Sequence, residues 1–198
     1  VTLLLLLACT GGDPCDRYAG NDLVRRECLV RRASSEADFP PERCAEAGPA
    51  EGDCRVGWVL AHLDQDVETL LAACVSEECR FVALDWRPAG LVEQLGRCET
   101  LGWMTENCQL HAFSRYYGGR PSLEQQARDL AELGKWRQLA AIEAGNAASC
   151  GIEVDCAAHG EHASGCEAAH AVAGVRACES YRPDYPKDPR RGALNPGP

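Results

Sequence analysis

Lysine is nearly missing from this chain. Of its 20 basic residues only Lys135 and Lys187 are lysine, and the rest are arginine. Arginine bias with abundant alanine is first of all what a GC-rich coding sequence produces. The basic residues are scattered among 30 acidic ones, for a net charge of -10. Phosphate neutralisation needs a basic surface, so this balance argues against nucleic acid as a partner. No block of like charge forms an interaction tail. Long apolar runs are also lacking: the stretch from Thr2 to Ala8 is far below the roughly 20 residues a membrane span needs. No segment alternates apolar and polar residues with β-branched enrichment, which argues against strands. Of the chemical signatures, C-x-x-C, G-x-S-x-G, H-E-x-x-H and the phosphate-cradling Gly loop are all absent. This leaves no motif for thiol exchange, acyl transfer or metalloprotease chemistry, so the expected function is non-catalytic and needs no cofactor.

What the chain has instead is cysteine, 13 residues of it. Such density belongs to an oxidising compartment, because cytosolic thiols are kept reduced. The number is odd. Setting Cys9 aside leaves twelve, which can all pair.

The cysteines fall in close couples: Cys15 and Cys28, Cys44 and Cys54, Cys74 and Cys79, Cys98 and Cys108, Cys150 and Cys156, Cys166 and Cys178. The first member tends to close an apolar helical stretch. The second often follows an acid or amide suited to a helix start. Second members are 26, 25, 29, 48 and 22 residues apart, and the 48 leaves room for a missing couple near residues 118–134. The inferred unit is helix, Cys, short turn, Cys, helix. The expected fold is all-α, short helical hairpins in a repeat-like array, stapled by about six disulfides. Pairing within each couple is the expectation, since a helix end and the next helix start lie within bridging distance. Bridges between neighbouring hairpins are the alternative.

Helical periodicity supports this. Val56, Val59, Leu60, Leu63, Val67, Leu70, Leu71 and Cys74 recur at spacings of three and four, with Asp64 or Asp66 dividing the stretch. A helix over 122–133 starts at a Ser122 cap and ends at Gly134. Another over 135–144 ends at Gly145. Pro88 and Gly90 separate a helix that starts near Cys79 from one that restarts at Leu91.

The opening residues, Leu6-Leu7-Ala8-Cys9, resemble a bacterial lipobox. That resemblance implies residues 1–8 as the end of a lipoprotein signal, Cys9 as the lipid-modified residue, and 9–14 as a flexible tether. Residues 15–181 then form the disulfide-rich domain. Residues 182–198 hold five of the eleven prolines and are expected to be extended or disordered. With contexts such as Glu78-Cys79-Arg80-Phe81 and Asn107-Cys108-Gln109-Leu110-His111, the chain resembles exported cysteine-rich helical lipoproteins of myxobacteria-like genomes. The resemblance implies an address, the outer membrane or cell surface, and an architecture. It transfers no site.

One segment invites a sharper expectation. Cys156, His159, His162, Cys166 and His170 would share one face if 156–170 were a single helix, and imidazole with thiolate suits zinc or copper. A set of His159, His162 and His170 would survive oxidation of both cysteines. Against this, Gly160 and Gly165 weaken such a helix, and both cysteines are needed to complete six pairs. Ser114 near His111, the acids Asp64, Asp66 and Glu68, and the four tryptophans read as structural. The run Arg115-Tyr116-Tyr117-Gly118-Gly119-Arg120 reads either as a contact surface or as a helix C-terminus. The function expected from these readings is a lipid-anchored scaffold or protein- or peptide-binding module of the bacterial envelope. The alternatives are a metal-binding envelope protein and a structural one with no specific ligand.

Overall fold

The computed structural model describes residues 13–172 and 178–181. Cys9 and the segment 182–198 lie outside the described residues. Among those described the fold is all-α: nine helices joined by turns and short 3-10 segments, with no strand. They are α1 (Asp22–Ala33), α2 (Glu51–Ala61), α3 (Val67–Ala73), α4 (Glu77–Trp86), α5 (Leu91–Cys98), α6 (Thr105–Gly118), α7 (Leu123–Glu132), α8 (Arg137–Ser149) and α9 (Ala163–Ala171).

Eight of the nine helices start in one of two ways. α1, α3, α4 and α7 carry side-chain caps: Asn21, Asp66, Ser76 and Ser122 accept from the N–H groups of Val24, Thr69, Cys79 and Gln125. Each satisfies a backbone donor that has no partner within the helix. α2, α6, α8 and α9 have no such cap. Each instead follows a glycine with positive φ: Gly48 (57°), Gly102 (43°), Gly134 (48°) and Gly160 (59°). In every case the helix begins three residues later, and the N–H of that residue donates to the glycine carbonyl. A side chain is disfavoured in this left-handed conformation, so glycine is what lets the chain reverse here.

Around three of these glycines the spacing is Cys-x3-Gly-x5-Cys, and the two cysteines are bonded: Cys44–Cys54, Cys98–Cys108 and Cys156–Cys166, each with Cα atoms 5.5 Å apart. The second cysteine therefore lies inside the new helix rather than just after its cap. At the fourth turn the corresponding residues are Leu130 and Ala140, which are 6% and 0% exposed. This fourth turn, at 130–140, has apolar packing where the others have a bridge. What recurs is the turn, whereas helix length runs from 7 residues in α3 to 14 in α6. The double variant Leu130→Cys with Ala140→Cys is expected to close a seventh disulfide. The chain-entropy model gives about 2.8 kcal/mol for a loop of this size, less the lost packing of Leu130. Intact mass after alkylation checks it: two more alkylated thiols than in the native parent chain would show that the fourth turn is built differently.

Cys15–Cys28 and Cys74–Cys79 complete the bonds within couples. The last four cysteines do not pair as expected. In place of Cys150–Cys156 and Cys166–Cys178, the structure joins Cys150 to Cys178 and Cys156 to Cys166. The reason is the glycine turn, which brings Cys156 and Cys166 together and leaves Cys150, at the end of α8, to meet Cys178.

A second correction concerns α8, which runs through Gly145 to Ser149 instead of ending at Gly145. Gly145 is where α9 crosses. A Cβ built there would lie 2.1 Å from the Cys166 carbonyl oxygen and 2.7 Å from the Ala169 Cβ. Ala140, Ala141, Ala144 and Ala147 are all fully buried, so α8 is a slim helix enclosed on several sides. Glycine is used here for close backbone approach, not as a stop signal.

Three apolar clusters form the interior, and disulfide cysteines contribute to each. In the first, the Trp58 indole N–H donates to the Phe39 carbonyl at 2.7 Å. The buried His62 stacks on Trp58, and its ring nitrogens lie 2.8 and 3.0 Å from the carbonyl oxygens of Trp58 and Ala37. These contacts pin the loop between α1 and α2. Asp13, expected in a flexible tether, is held to the body: its carboxylate accepts from Arg32, Arg43 and the Cys15 N–H.

Candidate functional site

Residues 156–170 are not one helix, so Cys156, His159, His162, Cys166 and His170 do not share one face. Gly160 (φ 59°, ψ −121°) breaks the stretch into a 3-10 turn and α9, and Cys156 and Cys166 are consumed by their mutual bond. His159 is 3% exposed. It fills the place that Ala47, Leu101 and Leu133 fill in the other three turns, one residue before the glycine, and all three are buried. Burial, with Arg137 and His162 adding to it, holds its imidazole below the ordinary histidine value. His162 lies 3.6 Å from the exposed Glu161 carboxylate, and His170 is exposed at the end of α9. Among the described residues, no three of His, Cys, Asp and Glu stand close enough to hold a metal ion. Ser114 is buried, whereas His111 is half-buried and turned toward Asp85 at 3.4 Å. Asp66 caps α3. Trp58 is a buried anchor, but Trp103, beside Gly102, is 69% exposed.

The structure creates a site that no motif announced. Along α5, Gln94, Leu95 and Cys98 point inward, leaving Leu91 and Val92 half-buried at its start. Gln94 fixes that start. Its amide oxygen accepts from the Ala89 N–H at 3.2 Å, and its NH2 group donates to the Leu84 carbonyl at 3.1 Å. On α6, Tyr117 is buried while Tyr116 lies at the surface of the apolar cluster, the two rings meeting edge to face at 5.1 Å. From α7, Gln126 donates to the carbonyls of Pro121 and Glu153, which seats that helix against the loop after α8.

Between these three helices runs an open groove of about 550 Å³. Leu91, Val92 and the Tyr116 ring supply its apolar surface. Glu93, Asp129 and Glu132 supply carboxylates, and none of the described residues lining it is basic. The Tyr116 hydroxyl donates to Asp129 at 2.7 Å, and the Gln125 side chain donates to the other Asp129 oxygen at 2.7 Å. These bonds set the ring's position across the groove. Burial and the Asp129 carboxylate push the phenol well above its ordinary range, so it remains a protonated donor. A smaller cavity of about 100 Å³ adjoins, sharing Leu91 and Tyr116 and reaching Arg115, which donates to Asp85 at 2.9 Å.

The Arg115–Arg120 run thus divides. Arg115 and Tyr116 line cavities, Tyr117 is core, and the helix ends at Gly118 with Gly119 as its cap. Sequence reasoning missed Leu91, Val92, Asp129 and Glu132. A groove arises from residues on three helices, and the only local signal was a tyrosine pair with one ring too many for the core. The site has an apolar floor and acidic edges. It contains a tyrosine hydroxyl already engaged with the Asp129 carboxylate. The chain matches no family model, no curated protein and no solved structure.

Proposed function

We propose that this chain is a lipid-anchored, exported, non-catalytic binding module of the bacterial envelope, attached through Cys9 and taking a protein or peptide segment in the α5–α6–α7 groove. The observation that carries the reading is the groove itself: half-buried Leu91, Val92 and Tyr116 beside three carboxylates, on a body braced by six disulfides. A braced scaffold keeps such a surface pre-formed, which lowers the ordering cost of binding. The six bonds support an oxidising compartment. The resemblance of Leu6-Leu7-Ala8-Cys9 to a lipobox, and of the whole to exported cysteine-rich lipoproteins, supports the anchor. Several acyl chains of the bacterial lipoprotein type would make the attachment stable. No helix among the described residues is long and apolar enough to cross a membrane, so Cys9 carries the attachment in this reading.

Two measurements test it. Labelled fatty acid should enter the chain when it is produced behind a complete export signal, and should vanish on Cys9→Ala; label that persists would remove the anchor at Cys9. Short basic, neutral and acidic peptides titrated into isotope-labelled protein should shift the amide signals of Leu91, Tyr116 and Asp129 with the basic series, and Leu91→Arg should abolish the effect. Shifts located elsewhere, or equal for all three series, would overturn the groove as the binding surface.

A further inference from the structure

The groove asks for an occupant that is extended, apolar on one edge and cationic on another. The same chain contains one. Beyond Tyr181 the sequence reads Arg182-Pro183-Asp184-Tyr185-Pro186-Lys187-Asp188-Pro189-Arg190-Arg191. Pro183, Pro186 and Pro189 are three residues apart, which is the period of polyproline II. In that conformation they form one continuous edge. Proline-rich segments of this kind dock in aromatic-lined grooves because little conformational freedom remains to be lost. Between residues 182 and 198 stand four basic and two acidic residues, in a chain whose net charge is -10. The segment is thus the cationic part of an acidic protein, and the groove is lined among the described residues by three carboxylates and no basic residue.

Where the described body ends also favours this match. Tyr181 is buried, its hydroxyl donates to Glu143 at 3.0 Å, and the turn that carries it packs on α6. α6 is the helix that presents Tyr116. From Tyr181 to Pro186 a polyproline II path covers about 16 Å, roughly two interhelical spacings of 8–10 Å. Tyr181 is a buried member of the apolar cluster against which Leu91, Val92 and Tyr116 pack.

We propose that residues 182–191 of this chain are the groove's resident occupant. The prolines lie on Leu91, Val92 and the Tyr116 ring, and Lys187 and Arg190, which share the neighbouring edge, meet Glu93, Asp129 and Glu132. The proposal rests on the groove being a binding surface, and it names the segment that an outside peptide must displace.

The scarcity of lysine makes the test clean. A carbodiimide joins an amine directly to a carboxylate it touches. The chain has two lysine amines, and one is an internal control: Lys135 Nζ lies 2.5 Å from Glu99. The full chain, treated at low concentration and digested, should give the Lys135–Glu99 link together with a link from Lys187 to Glu93, Asp129 or Glu132, both in monomer. In Leu91→Arg the Lys187 link should fall at least several-fold while the control link is unchanged. The control link with no Lys187 product overturns the proposal. So does a Lys187 link to carboxylates elsewhere on the body, or one found only between two copies. If the Lys187 link is missing yet basic peptides still shift Tyr116 and Asp129, the groove stands as a binding surface with an outside partner and only the resident segment falls. If both are missing, the groove reading falls as well.

Discussion

Gly145→Ala is expected to force α9 off α8 and to cost about 3 kcal/mol or more, as overpacking against unyielding atoms does. The added methyl would sit 2.1 Å from the Cys166 carbonyl oxygen, which is backbone, and 2.7 Å from the Ala169 Cβ. Neither is the end of a flexible side chain that can swing away. Cys166 is tied to Cys156 and packed among the alanines of α8, so α9 must move as a unit or unfold. For a domain of this size a loss of about 3 kcal/mol lowers Tm by about 6–12 °C. Gly96→Ala is the control. A Cβ at Gly96 meets nothing within 4 Å, and removing a glycine from a helix interior is worth about 0.5–1 kcal/mol of stabilisation. Thermal unfolding of the two variants should therefore move in opposite directions. Equal Tm values for Gly145→Ala and the parent would show that the α8–α9 contact is looser than described.

Full reduction is expected to abolish the cooperative fold at room temperature. The six bonds close loops with sequence separations of 5, 10, 10, 10, 13 and 28 residues. The chain-entropy model assigns them about 17 kcal/mol together. That exceeds the roughly 5–15 kcal/mol of net stability typical of a domain. About half of the buried apolar residues are alanine or half-cystine, so the bonds themselves make up part of the interior. Several helices are also too short to persist alone. The near-ultraviolet circular dichroism of the reduced chain should be lost, along with its sharp melting transition. A reduced protein that melts sharply at the Tm of the oxidised one would show that the apolar clusters suffice. The Cys150–Cys178 bond closes the largest loop, so Cys150→Ala with Cys178→Ala should be the costliest single removal.

The close couples were readable because their geometry is local. A helix end, a turn of a few residues and a helix start fall within bridging distance whatever the rest of the chain does. The same logic misassigned the last four cysteines. Two neighbours in sequence, Cys150 and Cys156, competed with the glycine-centred spacing of Cys156 and Cys166, and that spacing already stood in the sequence at Cys44–Gly48–Cys54 and Cys98–Gly102–Cys108. The groove had no such local signal. Leu91 reads as an ordinary helix-start residue and Asp129 as an ordinary surface acid, until the crossing of α5, α6 and α7 sets them on either side of Tyr116.

The sequence by itself determined the helical class, the capped starts at Asp66 and Ser122, and the break between α4 and α5 at Pro88. These depend on periodicity, hydrogen-bond donors left over at helix ends and the missing N–H of proline, all of which act within a few residues. Only the tertiary structure decided that α8 continues through Gly145, that Cys178 reaches back to Cys150, that His159 is core, and that a groove opens beside Tyr116. Each of these depends on which surface meets which. Glycine, cysteine and histidine carry no preference of their own that selects a partner 20 or more residues away; the packing of α9 against α8, and of α7 against α5 and α6, makes that choice.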